Sequence, residues 1–80
     1  MAIIGGKNMT FLELLKCNDE FTFEYEKTKY EVICENGKRC IYEQRTNTLI
    51  GEYMSNDDLI KKAQINGKKV FEIIKEINII

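Results

Sequence analysis

Two arginines, Arg39 and Arg45, stand six positions apart and are the only arginines in the chain. A guanidinium grips a phosphate with two parallel N–H bonds, which the point charge of a lysine does not do. Lys27, Lys29 and Lys38 fall at the turns flanking the same region, so a nucleotide-sized anion could be held along one edge. Tyr42 and Tyr53 offer rings on which a base could stack. Arg39, Arg45, Tyr42, Tyr53 and Lys38 are therefore the candidate ligand-binding residues. The plain alternative is that these charges keep the protein soluble and guard strand edges. A second candidate anion site is Gly67, Lys68 and Lys69, where backbone amides and two ammonium groups open a helix. The same residues explain themselves as a helix–helix turn stopped by Gly67.

Catalysis is not expected. The 80 residues contain no histidine, the commonest general acid–base group, and no nucleophile beside a base. Cys17, Cys34 and Cys40 form an odd set without CxxC spacing, so neither a zinc site nor a disulfide framework follows. They read as free thiols in a reducing cytosol, and no metal or cofactor is implied. The balance of 12 basic and 13 acidic residues gives a net charge of −1. That excludes the basic surplus of a duplex-DNA binder and the heavy acidity of a DNA mimic. No apolar run approaches the roughly 20 residues of a membrane span, and Met1 to Ile4, short and without a cationic flank, is not expected to act as a secretory signal. The reading is a small cytoplasmic protein without membrane contact.

The elements that must carry these residues are well marked. Residues 1–8 have no period and read as an N-terminal arm or edge segment, leaving 9–80 as one small domain. Thr10 and Glu13 make a capping box, and Met9 and Leu14 are spaced for a hydrophobic staple. The helix they open ends near Cys17. Phe21, Phe23 and Tyr25 alternate with polar residues as a half-buried strand. Further strands follow over 29–34, 38–44 and 49–53. Ser55 or Asn56 caps a second helix, Asn66-Gly67 stops it, and a third helix spans roughly 69–78. The expectation is an α+β domain: a helix, a four-stranded antiparallel meander, then two C-terminal helices packed on one sheet face.

Asn36-Gly37 admits two registers. A two-residue type I′ turn pairs Val32 with Ile41 and mixes charged with apolar side chains on both faces. A type I turn with a G1 bulge at Gly37 pairs Val32 with Cys40 and gathers Tyr30, Val32, Cys34, Cys40 and Tyr42 on one face. Because a slip of one residue exchanges the faces, the pattern favours the bulge. Pairing Tyr25 with Tyr30 and Phe23 with Val32 agrees with it. This leaves Ile33 and Ile41 on the wet face and Ile79-Ile80 bare. With Ile77 on the broad apolar face of the third helix, the pattern points to a homo-oligomer using Ile33, Ile41, Ile77 and Ile80.

Met9-Thr10-Phe11, Glu13-Leu14-Leu15, Phe21-x-Phe23-x-Tyr25, Lys29-Tyr30-x-Val32 and Ile65-x-Gly67-Lys68 before a closing helix make a pattern over 9–77. It resembles short accessory proteins of phages and prophages of low-GC Gram-positive bacteria. The resemblance carries no functional residue. It implies a setting in the host cytoplasm, where small non-enzymatic proteins antagonise host defence. The expectation is an oligomer that sequesters a nucleotide-like immune signal. The alternative is a protein-binding inhibitor or regulator of a defence protein such as a CRISPR effector.

Overall fold

Three two-residue turns organise the chain, and each needs φ > 0 at both central residues. Glu26-Lys27 has φ of 51° and 67°, Asn36-Gly37 54° and 79°, and Asn66-Gly67 54° and 78° in the computed structural model, which describes residues 10–80. These are the dihedral signs of the type I′ hairpin, whose twist matches that of its strands. The first turn joins β1 (Phe21–Tyr25) to β2 (Thr28–Glu35), and the second joins β2 to β3 (Lys38–Glu43). β4 (Thr48–Tyr53) completes the meander. The third turn joins β5 (Gln64–Ile65) to β6 (Lys68–Lys69), a separate two-stranded ribbon.

Among the described residues the architecture is α+β, with a five-stranded antiparallel sheet, the two-stranded ribbon and three helices. Helix α1 (Phe11–Cys17) precedes the meander, and α2 (Asn56–Lys62) follows it. Helix α3 (Val70–Ile73) runs into a 3₁₀ turn over Ile74–Glu76. The chain then extends as β7 (Asn78–Ile79), which pairs with β1 to give the order β4-β3-β2-β1-β7. A fifth strand thus replaces the end of the expected third helix, and Asn66-Gly67 is a hairpin turn rather than a helix–helix junction. Among the described residues no helix is long and apolar enough to cross a membrane.

Capping follows the sequence closely. Thr10 Oγ1 accepts from Glu13 N at 3.1 Å while Glu13 Oε1 accepts from Thr10 N at 2.8 Å, closing the capping box. Ser55 is the N-cap of α2, its hydroxyl accepting from Asp58 N at 3.1 Å. The N-terminal arm and the Met9 half of the staple lie outside the described residues.

The register departs from the expectation. Val32 faces Ile41, Ile33 faces Cys40 and Cys34 faces Arg39, so the hairpin is the two-residue form without a bulge at Gly37. The first hairpin pairs Phe23 with Tyr30 and Phe21 with Val32, two residues from the expected pairing but on the same face. The core face therefore carries Phe23, Tyr25, Tyr30, Val32, Ile41 and Arg39, and Cys40 and Tyr42 turn to the other side. Cys34 and Cys40 lie on opposite faces rather than sharing one. All three cysteines are free, with only Cys40 buried.

Arg39 explains why the pattern misled. The residue is only 8% exposed, and its guanidinium donates to Leu15 O at 2.6 Å, Asn18 O at 2.7 Å, Asp19 O at 2.8 Å and Asn56 Oδ1 at 2.9 Å. Asn56 Nδ2 adds a bond to Leu15 O at 2.9 Å. The last carbonyls of a helix lack intrahelical donors and carry its negative dipole end, so a cation there is favoured. One buried arginine thus fastens β3 to the end of α1 and the start of α2. A charge on the core face is tolerated because its bonds are made.

Around this tie the core packs. Phe11 meets Phe21 and Phe23 edge-on at 5.4 and 5.3 Å between centroids, and Phe23 stacks on Tyr30 at 5.2 Å. Leu59, Ala63, Ile65, Val70, Ile73 and Ile77 close the helical side. Ile41 and Ile77 belong to this core rather than to an exposed contact surface. Ile33 is half-buried on the outer face, and Ile80 is 61% exposed.

Candidate anion-binding groove

The turn joining β1 to β2 and the loop joining β3 to β4 lie at the same end of the sheet, since antiparallel neighbours reverse direction at each connection. The β5–β6 hairpin reaches this end as well. Asn66 Nδ2 donates to Glu26 Oε1 at 2.9 Å, and Lys68 Nζ lies 3.4 Å from both Glu26 Oε2 and the Tyr25 hydroxyl. Between these parts opens a cavity of about 600 Å³, within the range of small-molecule sites. Lys27, Lys29 and Arg45 line it with Thr28, Thr48, Asn66 and the apolar Tyr30 and Ile50.

Charge in the groove is unbalanced. Three cations face one lining carboxylate, Glu43, a surplus of two positive charges. Glu43 Oε1 is engaged by the Thr46 hydroxyl at 2.6 Å. Among the described residues Lys27, Lys29 and Arg45 make no ion pair, whereas Lys38, Lys62 and Lys68 each do. Glu26 is drawn to the opposite wall, where the Asn66 hydrogen bond, followed by the Lys68 charge, holds its carboxyl below the usual glutamate range. Burial raises the Tyr30 phenol, with the Glu43 charge adding to it, so that hydroxyl stays neutral at physiological pH.

The residues selected from sequence do not converge on one site. Arg45 lines the groove, and Lys27 and Lys29, noted for their place at the turns, join it there. Arg39 is occupied in the core. Lys38 sits at the other end of the sheet, beside the Asn36-Gly37 turn, and pairs with Glu52 at 3.8 Å. Tyr42 lies on the outer face with its hydroxyl 3.4 Å from Glu35. Tyr53 folds its ring back over Gly51, into the space a β-carbon there would fill. Neither ring reaches the groove. Gly67 lies in the hairpin turn and Lys68 and Lys69 in β6, with Lys69 also the N-cap of the four-residue α3 and its ammonium 5.7 Å from the Phe71 ring centroid. Thr28, Thr48, Ile50 and Asn66 were missed, because only the fold brings these four together.

Cysteine and acidic chemistry gather elsewhere. On the outer face Cys40 Sγ lies 3.9 Å from Glu35 and 4.0 Å from Glu52. Burial raises that thiol, and the two carboxylates push it further from the thiolate form a nucleophile needs. Among the described residues no group of three or more His, Cys, Asp or Glu is placed to hold a metal ion. Comparison of the chain with protein-family models, with curated proteins and with solved structures returned no match.

Proposed function

We propose that this protein is a non-catalytic binder of a small phosphorylated, nucleotide-like ligand, held in the groove at the Arg45 end of the sheet. One observation carries the reading: Lys27, Lys29 and Arg45 line a single cavity against the one carboxylate of Glu43, and among the described residues none of the three forms an ion pair. Unpaired cations beside a concave surface raise the local concentration of anions, and a guanidinium fixes a phosphate by two bonds. Ile50 and the edge of Tyr30 supply an apolar wall for a base or sugar, in place of Tyr42 and Tyr53. No group in the groove is set up to activate a nucleophile, so the ligand is held rather than converted. In the setting implied by the resemblance to phage accessory proteins, holding a nucleotide signal of host immunity removes it from its receptor.

Calorimetry with mono-, di- and cyclic nucleotides at low salt tests this. Arg45→Ala is expected to weaken binding at least about tenfold while leaving the fold intact, and Arg45→Lys to recover only part. Binding should fall as salt rises, because phosphate contacts are screened. If no nucleotide binds, or if Arg45→Ala binds as wild type does, the ligand reading fails. Inhibition of a host defence protein by direct contact then becomes the working account.

A further inference from the structure

We infer that the open edge of β4 is the seam of a two-fold homodimer, in which β4 pairs antiparallel with β4 of a second copy. The sheet has two edges. One is β7, two residues long, and the other is β4, six residues long and unpaired on its outer side among the described residues. Among the described residues, three of the six large exposed apolar side chains lie on or next to β4: Leu49 at 50%, Ile50 at 40% and Met54 at 69%. Such an edge invites another strand unless it is blunted.

Hydrogen-bond phase decides which groups face outward. The two-residue turn makes Glu35 and Lys38 a bonded pair, so every second residue from Lys38 bonds to β2. The bond from Gln44 N to Lys29 O at 3.0 Å keeps the same phase. Arg39, Ile41 and Glu43 then bond to β4 at their partners Tyr53, Gly51 and Thr48. Leu49 and Glu52 are left with backbone groups directed away from the sheet. A bulge at Ile50 sets them three residues apart instead of two, centred on the Ile50–Gly51 bond. Such a bulge would misalign a regular guest strand. A second β4 carries the same irregularity, so Leu49 of each copy meets Glu52 of the other and both bonded pairs form about the two-fold axis.

Charge selects the same register. Pairing Glu52 with Glu52 of the second copy sets like charges opposite, which is unfavourable. In the Leu49–Glu52 register each exposed Glu52 instead faces the apolar Leu49 of the other copy, and like charges are kept apart. The seam runs along the wall that holds Thr48 and Ile50. It does not rest on the ligand reading, and the test reads association without ligand.

Sedimentation equilibrium of wild type and of the double variant Leu49→Lys/Met54→Lys tests the seam; neither side chain lines the groove, and lysines guard natural edges. Wild type is expected to be a dimer at about 100 µM and the variant a folded monomer by circular dichroism, its dissociation constant raised at least about tenfold. Ile80→Asp, remote from β4, should leave the dimer unchanged. In a mixed-label wild-type sample, isotope-filtered NOEs should join Leu49 of one copy to Glu52 of the other. A wild-type monomer at about 1 mM, a variant that dimerises as tightly, or intermolecular NOEs confined to α3 or to β1 and β2 would each overturn the inference.

Discussion

Replacing Arg39 separates a structural arginine from a ligand-binding one. Its four hydrogen bonds run to Leu15 O, Asn18 O, Asp19 O and Asn56 Oδ1, between 2.6 and 2.9 Å. Bonds to a charged group contribute about 1.5–3 kcal/mol each when tested singly. They do not add, because only the bond to Leu15 O is buried and water can reach the other three acceptors once the side chain is gone. Leu15 O also keeps its bond from Asn56. Arg39→Ala should therefore cost about 3 kcal/mol, the size of one well-satisfied buried charge plus its aliphatic stem. For a domain of this length that lowers Tm by about 12–24 °C. Arg39→Lys keeps the charge but loses the fork, and about 2 kcal/mol should go. Urea titration followed by circular dichroism measures both, and Arg45→Ala in parallel should move stability by less than about 0.5 kcal/mol. An Arg39→Ala protein within about 0.5 kcal/mol of wild type would refute the helix tie and return Arg39 to the surface.

Thr10→Ala opens the capping box and should cost about 1 kcal/mol of stability in the same titration, with Thr10→Ser close to wild type. Alkylation of the folded protein near neutral pH should modify Cys17 and Cys34 first and Cys40 last, since burial and then Glu52 and Glu35 suppress its thiolate; mass spectrometry of timed samples reads the order, and a fast Cys40 would contradict the outer-face geometry. Glu26 should titrate by NMR below an ordinary glutamate, chiefly through the Asn66 bond and then Lys68. Its depressed folded value means that the tie to the β5–β6 hairpin is fully present above the unfolded pKa and is lost as pH falls through the folded one. Lys68, raised by the Tyr25 hydroxyl and then Glu26, loses its share only as pH rises through its own folded value. Asn66→Ala should move Glu26 back toward the ordinary range.

The strands, the capping box of α1 and the N-cap of α2 were legible because each rests on local spacing: Phe21-x-Phe23-x-Tyr25, Thr10 with Glu13, and Ser55 before two aspartates. Three features were not. Arg39 looked like an outward charge, and only the nearby end of α1 makes its burial affordable, so the register came out one residue from the pattern. Lys69 to Asn78 looked like one helix, yet Asn78-Ile79 gains more by extending along the open side of β1 than by a last helical turn. The groove unites Lys27, Arg45 and Asn66 from three different turns, a proximity set by sheet topology rather than by spacing. Arg45 alone of the five residues first selected for ligand binding reached it, since side-chain chemistry marked all five equally and only the fold separates them.

An NMR titration of labelled protein with nucleotides and with pyrophosphate, in low salt, tests the central claim most directly. The account predicts saturable shifts confined to the amides of residues 27–30, 43–50 and 66, abolished by Arg45→Ala and weakened by Lys27→Ala. Absence of saturable shifts with every anion, or shifts centred on Lys38, Tyr42 or Lys69 instead, would contradict it.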